Sequence, residues 1–85
     1  MLSPSKLAQS ADLMTGILDR IGKTLVAPGA HASRANAQAA RNMVYRCAAC
    51  PDQDGCRRLQ ATALHLERPP LFCTNAERLM ALPDV

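Results

Sequence analysis

Four cysteines, set as Cys47-x-x-Cys50-x5-Cys56 with Cys73 after sixteen further residues, constrain this 85-residue chain more than any other feature. Three of them share one short loop, Cys47-Ala-Ala-Cys50-Pro51-Asp52-Gln53-Asp54-Gly55-Cys56. Turn residues lie between the cysteines and helical sequence flanks them, so the backbone can curl three sulfurs round a common point. That layout predicts a metal ion or an iron–sulfur cluster at the loop. A chain this long has room for one domain, whose core alone contributes only about 3–5 kcal/mol, so four thiolates round a metal would serve as a staple.

Hydrophobic residues make up 48% of the sequence, yet Tyr45 and Phe72 are its only aromatics. Such a core must be built from Leu, Ile, Met, Val and many alanines, which suits close-packed helices, and β-branched residues are too few for a sheet. The expected fold class is therefore all-α, a compact bundle of about four helices with the four-cysteine site at one end. The segment from Met1 to Lys6 has no basic stretch followed by an apolar run, and no later segment is long enough to cross a bilayer, which predicts a cytoplasmic protein. In a reducing compartment clustered thiols bind metals or do redox chemistry more often than they form structural disulfides. Two disulfides in an exported protein are the alternative.

The formal charge of +3 suggests nucleic acid as a partner. It counts the cysteines as neutral, however. Four thiolates with a cubane core of about +2 add roughly −2, leaving about +1. Arg46, Arg57 and Arg58 flank the cysteines and are better placed to offset thiolate charge than to grip phosphates. Without aromatic interleaving or a long Lys/Arg run, a nucleic-acid role is disfavoured.

Along the chain, Ser3 reads as the N-cap of a first helix with Pro4 in its first turn. Leu7, Ala11, Met14, Leu18, Ile21 and Leu25 recur at helical spacing, and Leu13 and Ile17 widen the stripe. The pattern predicts an amphipathic helix of about six turns within residues 1–30, locally weakened or closely approached at Gly16 and Gly22, and ended by Pro28-Gly29. Its face could pair with a protein partner or a second copy. Residues 33–82 form the four-cysteine unit of the same single domain, 1–85. Ser33 caps a second helix through Ala35, Ala37, Ala39, Ala40, Met43 and Val44 to the cysteines, and Ala40, Met43, Cys47 and Cys50 follow at three- and four-residue steps as one inward-facing stripe. Asp54-Gly55 is expected to start a third helix carrying Cys56, Leu59, Ala63 and Leu66, which Pro69-Pro70 stops. Thr74-Asn-Ala-Glu77 matches a capping box at the start of a fourth helix. Cys56 and Cys73 would then sit at helix N-termini, where the dipole lowers a thiol's pKa.

Structural zinc sites commonly use two C-x-x-C knuckles, and this chain has one. Two sulfurs supplied singly from separate helix starts span a cubane at least as comfortably as a single ion. The ligand set is Cys47, Cys50, Cys56 and Cys73 in either case: a [4Fe-4S] cluster is expected, with zinc as the alternative. His31 and His65 lack the spacing of a Cys/His knuckle and read as surface residues. Met14, Met43 and Met80 read as core fillers, and Asp52 and Asp54 as turn and cap residues. No phosphate loop, Ser/His/Asp set or carboxylate pair is present, and a thiol–disulfide active site would want a βαβ setting. A non-enzymatic role follows.

The loop from Cys47 to Cys56 resembles the iron–sulfur loop of the helix-hairpin-helix DNA glycosylases of the adenine-glycosylase and endonuclease type, in which C-x-x-C-x5-C carries three of four [4Fe-4S] ligands. RecB-like nucleases use a similar triplet. The glycosylase pattern puts its fourth cysteine seven positions before Cys47, where this chain has Ala40, so Cys73 would substitute from downstream. No hairpin motif accompanies the loop, and the likeness concerns the site alone. From Arg41 to Leu82 the chain resembles small bacterial proteins of domain of unknown function 6455, whose pattern is C-x-x-C, a third cysteine followed by basic residues and Leu, then Phe-Cys-Pro-Asn-Ala. Cys47, Cys50, Cys56-Arg57-Arg58-Leu59 and Phe72-Cys73-Thr74-Asn75-Ala76 match it. Thr74 replaces the usual proline, and Leu59 lies where tryptophan is frequent. This resemblance implies a shared four-cysteine helical unit and carries no established activity. The resulting expectation is a small iron–sulfur protein for electron transfer or redox and iron sensing, with a zinc-stabilised interaction module as the alternative.

Overall fold

In the computed structural model, which describes residues 3–85, the chain forms four helices: α1 Pro4–Ile21, α2 Arg34–Ala48, α3 Gln53–Thr62 and α4 Ala76–Met80. Met1 and Leu2, included in the predicted N-terminal unit, lie outside the described residues. The only β pairing among the described residues is an isolated bridge between Lys23 and Asp84. The expected all-α bundle is what the chain adopts.

The Ser3 side chain accepts from Lys6 N at 3.1 Å and Pro4 occupies the first turn, so α1 starts where its cap signal predicts. Leu13, Met14, Ile17, Leu18 and Ile21 are buried along one face. This face packs into the chain's own core, which also takes in Met43, Cys56 and Leu79. The helix is shorter than expected, ending at Gly22 and not at Pro28-Gly29. Gly22 adopts φ 72°, a left-handed conformation that costs glycine nothing, and the amides of Gly22 and Lys23 both return to Leu18 O. Pro28-Gly29 instead makes a tight turn, with Gly29 at φ 83° and Ala30 N bonded to Ala27 O at 3.0 Å. Residues 22–24 run against the C-terminus, through Thr24 N to Pro83 O, Val85 N to Gly22 O and an ion pair of 2.8 Å between Lys23 and Asp84.

A capping box formed by Ser33 and Asn36 opens α2. Its first half is largely exposed, while Ala40, Met43, Cys47 and Cys50, the expected inward stripe, are all buried or half-buried. Only Met43 and Ala48 are buried, and Val44 and Cys47 touch the core edge. The third helix departs most from expectation. Its N-cap is Asp52, whose carboxylate accepts from Gly55 N at 2.9 Å, while Asp54 lies inside the first turn paired with Arg57. It stops at Thr62, well before Pro69. Arg20 of α1 accounts for that stop: its guanidinium donates to Gln60 O and Ala63 O, each at 2.8 Å, capturing carbonyls at the helix end. The chain then crosses α1, Leu66 N donating to Arg20 O at 2.9 Å.

The capping box predicted at Thr74 does not form. Asn75 is the cap residue of the five-residue α4 and makes no side-chain cap bond, because its amide group reaches Met43 O at 2.7 Å and the Thr74 hydroxyl donates to Arg46 O at 2.9 Å. These two bonds pin the loop around Cys73 to the last turns of α2. Met14 and Met43 are buried as expected, whereas Met80 is 41% exposed and fills no core space. The molecule measures 34 × 32 × 18 Å, so its short axis is about two helix diameters. Its surface of 5572 Å² exceeds the roughly 4,900 Å² expected for a compact protein of this mass, which leaves the core thin.

Candidate metal centre

All four cysteines carry free thiols and line one cavity. Cys47 comes from the last turn of α2, Cys50 follows its C-cap Ala49, Cys56 sits at the end of the first turn of α3, and Cys73 precedes α4. The bond from Cys50 N to Cys47 O, 3.0 Å, folds the C-x-x-C segment tightly enough to present both sulfurs to the same space. The side chains of Leu13, Met14 and Ile17, from the middle of α1, together with Phe72 and Leu79, complete an apolar wall. The cavity is partly open and offers about 20 Å³, slightly more than one water-sized sphere requires. Among the described residues, no three His, Cys, Asp or Glu side chains converge at the spacing of a single-ion site. The four cysteines share the lining of this cavity without forming such a set.

The thiols have lone hydrogen-bond partners drawn from separate elements. Cys47 Sγ donates to Ser10 O at 3.4 Å and Cys50 Sγ to Phe72 O at 3.9 Å. The Asn75 amide donates to Cys73, and Gln60 Nε2 donates to Cys56 Sγ at 3.3 Å. Behind Cys47, the buried Gln53 side chain donates to Ser10 Oγ at 2.9 Å and to Cys47 O at 2.7 Å, and accepts from Lys6 Nζ at 2.7 Å. Asn75 is 1% exposed, and its side-chain oxygen has no hydrogen-bond partner. A buried acceptor left alone on the wall of a cavity is a place where a further guest is expected.

Burial pushes the Cys47 thiol up to about 11, helped by the negative charge that Cys50, Cys56 and Cys73 would carry, with Lys6 opposing. Cys56 is raised by burial against the Gln60 hydrogen bond and the charges of Arg20 and Arg57; Cys73 is raised by burial against the Asn75 amide. This reverses the expectation that helix N-termini would lower Cys56 and Cys73. Desolvation outweighs the dipole here, and α4 is too short to contribute much of one. Of the three flanking arginines expected to offset thiolate charge, only Arg57 does so detectably, at Cys56. Four thiolates in this space require a cation.

A pH dependence follows for the metal-free, reduced protein. Because the folded thiol pKa of Cys47 is raised above its ordinary 9.0, the stability it contributes is full below about pH 9 and is lost as pH rises towards 11. Denaturant titrations across that range should show a falling midpoint. Metal-loaded protein, its sulfurs already deprotonated, should lack this decline.

His31 and His65 are exposed and outside the cavity lining, as expected. Sequence reasoning missed Ser10, Arg20, Gln53, Gln60 and Asn75. Gln60 had a readable signal, since it lies four residues after Cys56 on the same helical face. Asn75 stood within the Phe72-to-Ala76 match without being assigned a role.

Fold and site together define a small helical protein with a four-thiol cavity built on its core. The sequence pattern of DUF6455, a family of unknown function, matches residues 1–85, and the chain belongs to that family. No curated protein and no solved structure matches it. Among the described residues, no helix is long and apolar enough to cross a membrane.

Proposed function

We propose that this chain is a non-enzymatic iron–sulfur protein, holding a [4Fe-4S] cluster through Cys47, Cys50, Cys56 and Cys73 and serving in electron transfer or redox and iron sensing in the cytoplasm. The observation that carries the reading is the gathering of all four free cysteines along one apolar-walled cavity. The donor set fits the group: four thiols, with N–H donors aimed at two of the sulfurs. When bound, such a cluster supplies one-electron exchange. The chain's part is to fix the sulfurs, keep water from three sides with Leu13, Ile17 and Phe72, and leave one corner accessible. Cys50 is that corner, because it also lines an outer polar groove with Lys6, Gln9, Asp52 and Arg57.

The small cavity volume favours a second reading, in which zinc draws the same four sulfurs inward and the protein is a metal-stapled interaction module. Under that reading the first helix has little to offer a partner, since its apolar face is buried internally, and the exposed Tyr45, Leu64, Leu71, Met80 and Val85 are the large apolar side chains left among the described residues. Reconstitution of metal-free protein under anaerobic conditions, with ferrous iron and sulfide in one arm and zinc in the other, separates the two. The proposal expects a brown product that zinc does not readily displace. A product that takes one zinc per chain and excludes iron overturns it.

A further inference from the structure

Gln60 is half-buried between α3 and α1, and both hydrogens of its amide are committed. Nε2 donates to Leu13 O at 2.9 Å and to Cys56 Sγ at 3.3 Å. The bond to Leu13 holds the amide against α1, so the direction of the second N–H is fixed independently of the sulfur. Space for this arrangement exists because residue 16 is glycine. A Cβ at Gly16 would overlap Gln60 Oε1 and come within 2.7 Å of its Cδ. Glycine inside a helix costs about 0.5–1 kcal/mol relative to alanine, and here φ is not in the left-handed region that would require it. A methyl group at position 16 and the Gln60 amide in its present place exclude each other. The neighbouring carbonyl, Gly16 O, is held by Arg20 at 2.9 Å, which fixes the helix wall at this point.

Resting on the iron–sulfur reading above, we infer that Gln60, seated in the notch left by Gly16, is a positioning residue that tunes the redox potential of the guest through a preset hydrogen bond to the Cys56 sulfur. An N–H aimed at a ligating thiolate withdraws electron density from it and stabilises the reduced, more negative state, so it raises the potential. Cys73 receives a comparable bond from a backbone amide, which no side-chain substitution removes. Gln60 is thus the side chain through which the sequence can set the potential without altering a ligand.

Three variants test this: Gln60→Leu, which removes the donor at similar size; Gln60→Glu, which also brings negative charge; and Gly16→Ala, which strengthens the helix while evicting the amide. Each is reconstituted anaerobically with iron and sulfide, and its midpoint potential is measured by titration monitored by electron paramagnetic resonance, beside iron content and melting temperature. The expected result is a negative shift in all three, largest for Gln60→Glu, with iron content retained. Gly16→Ala combined with Gln60→Leu should shift no further than Gln60→Leu alone, because both remove one interaction. Loaded Gln60→Leu and Gly16→Ala proteins with the parent potential overturn the inference, whatever happens to their melting temperatures. A parent protein that takes up no cluster overturns the iron–sulfur reading itself, and this inference falls with it.

Discussion

Cys73→Ser should strip the protein of its metal and lower its melting temperature by at least about 10 °C. The loop holding Cys73 has few interactions of its own: α4 has five residues, and the Thr74 and Asn75 side chains make the two bonds that tie the loop to α2. Under the proposed ligand set, metal held by four sulfurs would join this loop to the end of α2 and the start of α3. Losing one ligand therefore weakens binding and folding together. The core of so small a domain supplies about 3–5 kcal/mol, and each kcal/mol moves the melting temperature by about 4–8 °C at this size. The comparison that isolates the effect is between metal-free forms. Without metal, parent and variant should melt within a few degrees of each other, since a half-buried thiol replaced by a hydroxyl changes little packing. Equal melting temperatures and equal metal content in the loaded forms would remove Cys73 from the ligand set.

Arg20→Ala should destabilise the fold by about 3 kcal/mol, independent of metal. The guanidinium donates to the carbonyls of Gly16, Gln60 and Ala63 at 2.8–2.9 Å, and the last two belong to the closing turn of α3. Hydrogen bonds from charged donors contribute about 1.5–3 kcal/mol each, and truncation leaves two carbonyls at a helix end without partners. Arg20→Lys should recover less than half of the loss, because one ammonium cannot reproduce a fork aimed at two acceptors. Thermal melts of both variants test this. A loss below about 1 kcal/mol for Arg20→Ala would mean that water replaces the side chain at the end of α3, and Thr62 would have to stop the helix through its own back-bonds to Arg58 O and Leu59 O.

The comparison of sequence with structure separates two kinds of information. Features set by a few adjacent residues were legible. The Ser3–Pro4 start of α1, the Ser33 cap of α2 and the buried stripe from Leu13 to Ile21 all follow from local spacing, as does the presentation of Cys47 and Cys50 on one side. Features set by a distant partner were not. Helix α3 ends where Arg20 reaches across from α1, and no pattern near Thr62 announces that. Thr74 and Glu77 have the letters of a capping box, but the hydroxyl bonds to Arg46 O, a residue 28 positions away. Gly22 sits inside an apolar pattern that runs on to Leu25, and only its left-handed conformation marks it as the end of the helix. At the site, the four sulfurs were legible because cysteine is rare and its spacing is informative. The amides that orient them, Gln53, Gln60 and Asn75, were not, since a polar residue in a loop or helix looks the same whether it faces water or a buried thiol. The direction of the thiol shifts is hidden for the same reason: sequence gives a helix terminus but not the depth at which it lies.

Iron and acid-labile sulfide should be measured on protein purified anaerobically from iron-replete cells, beside its visible absorption. The account predicts about four iron and four sulfide per chain with a broad sulfur-to-iron charge-transfer band. A colourless protein carrying one zinc, or four thiols that titrate freely in a folded chain without metal, would contradict it.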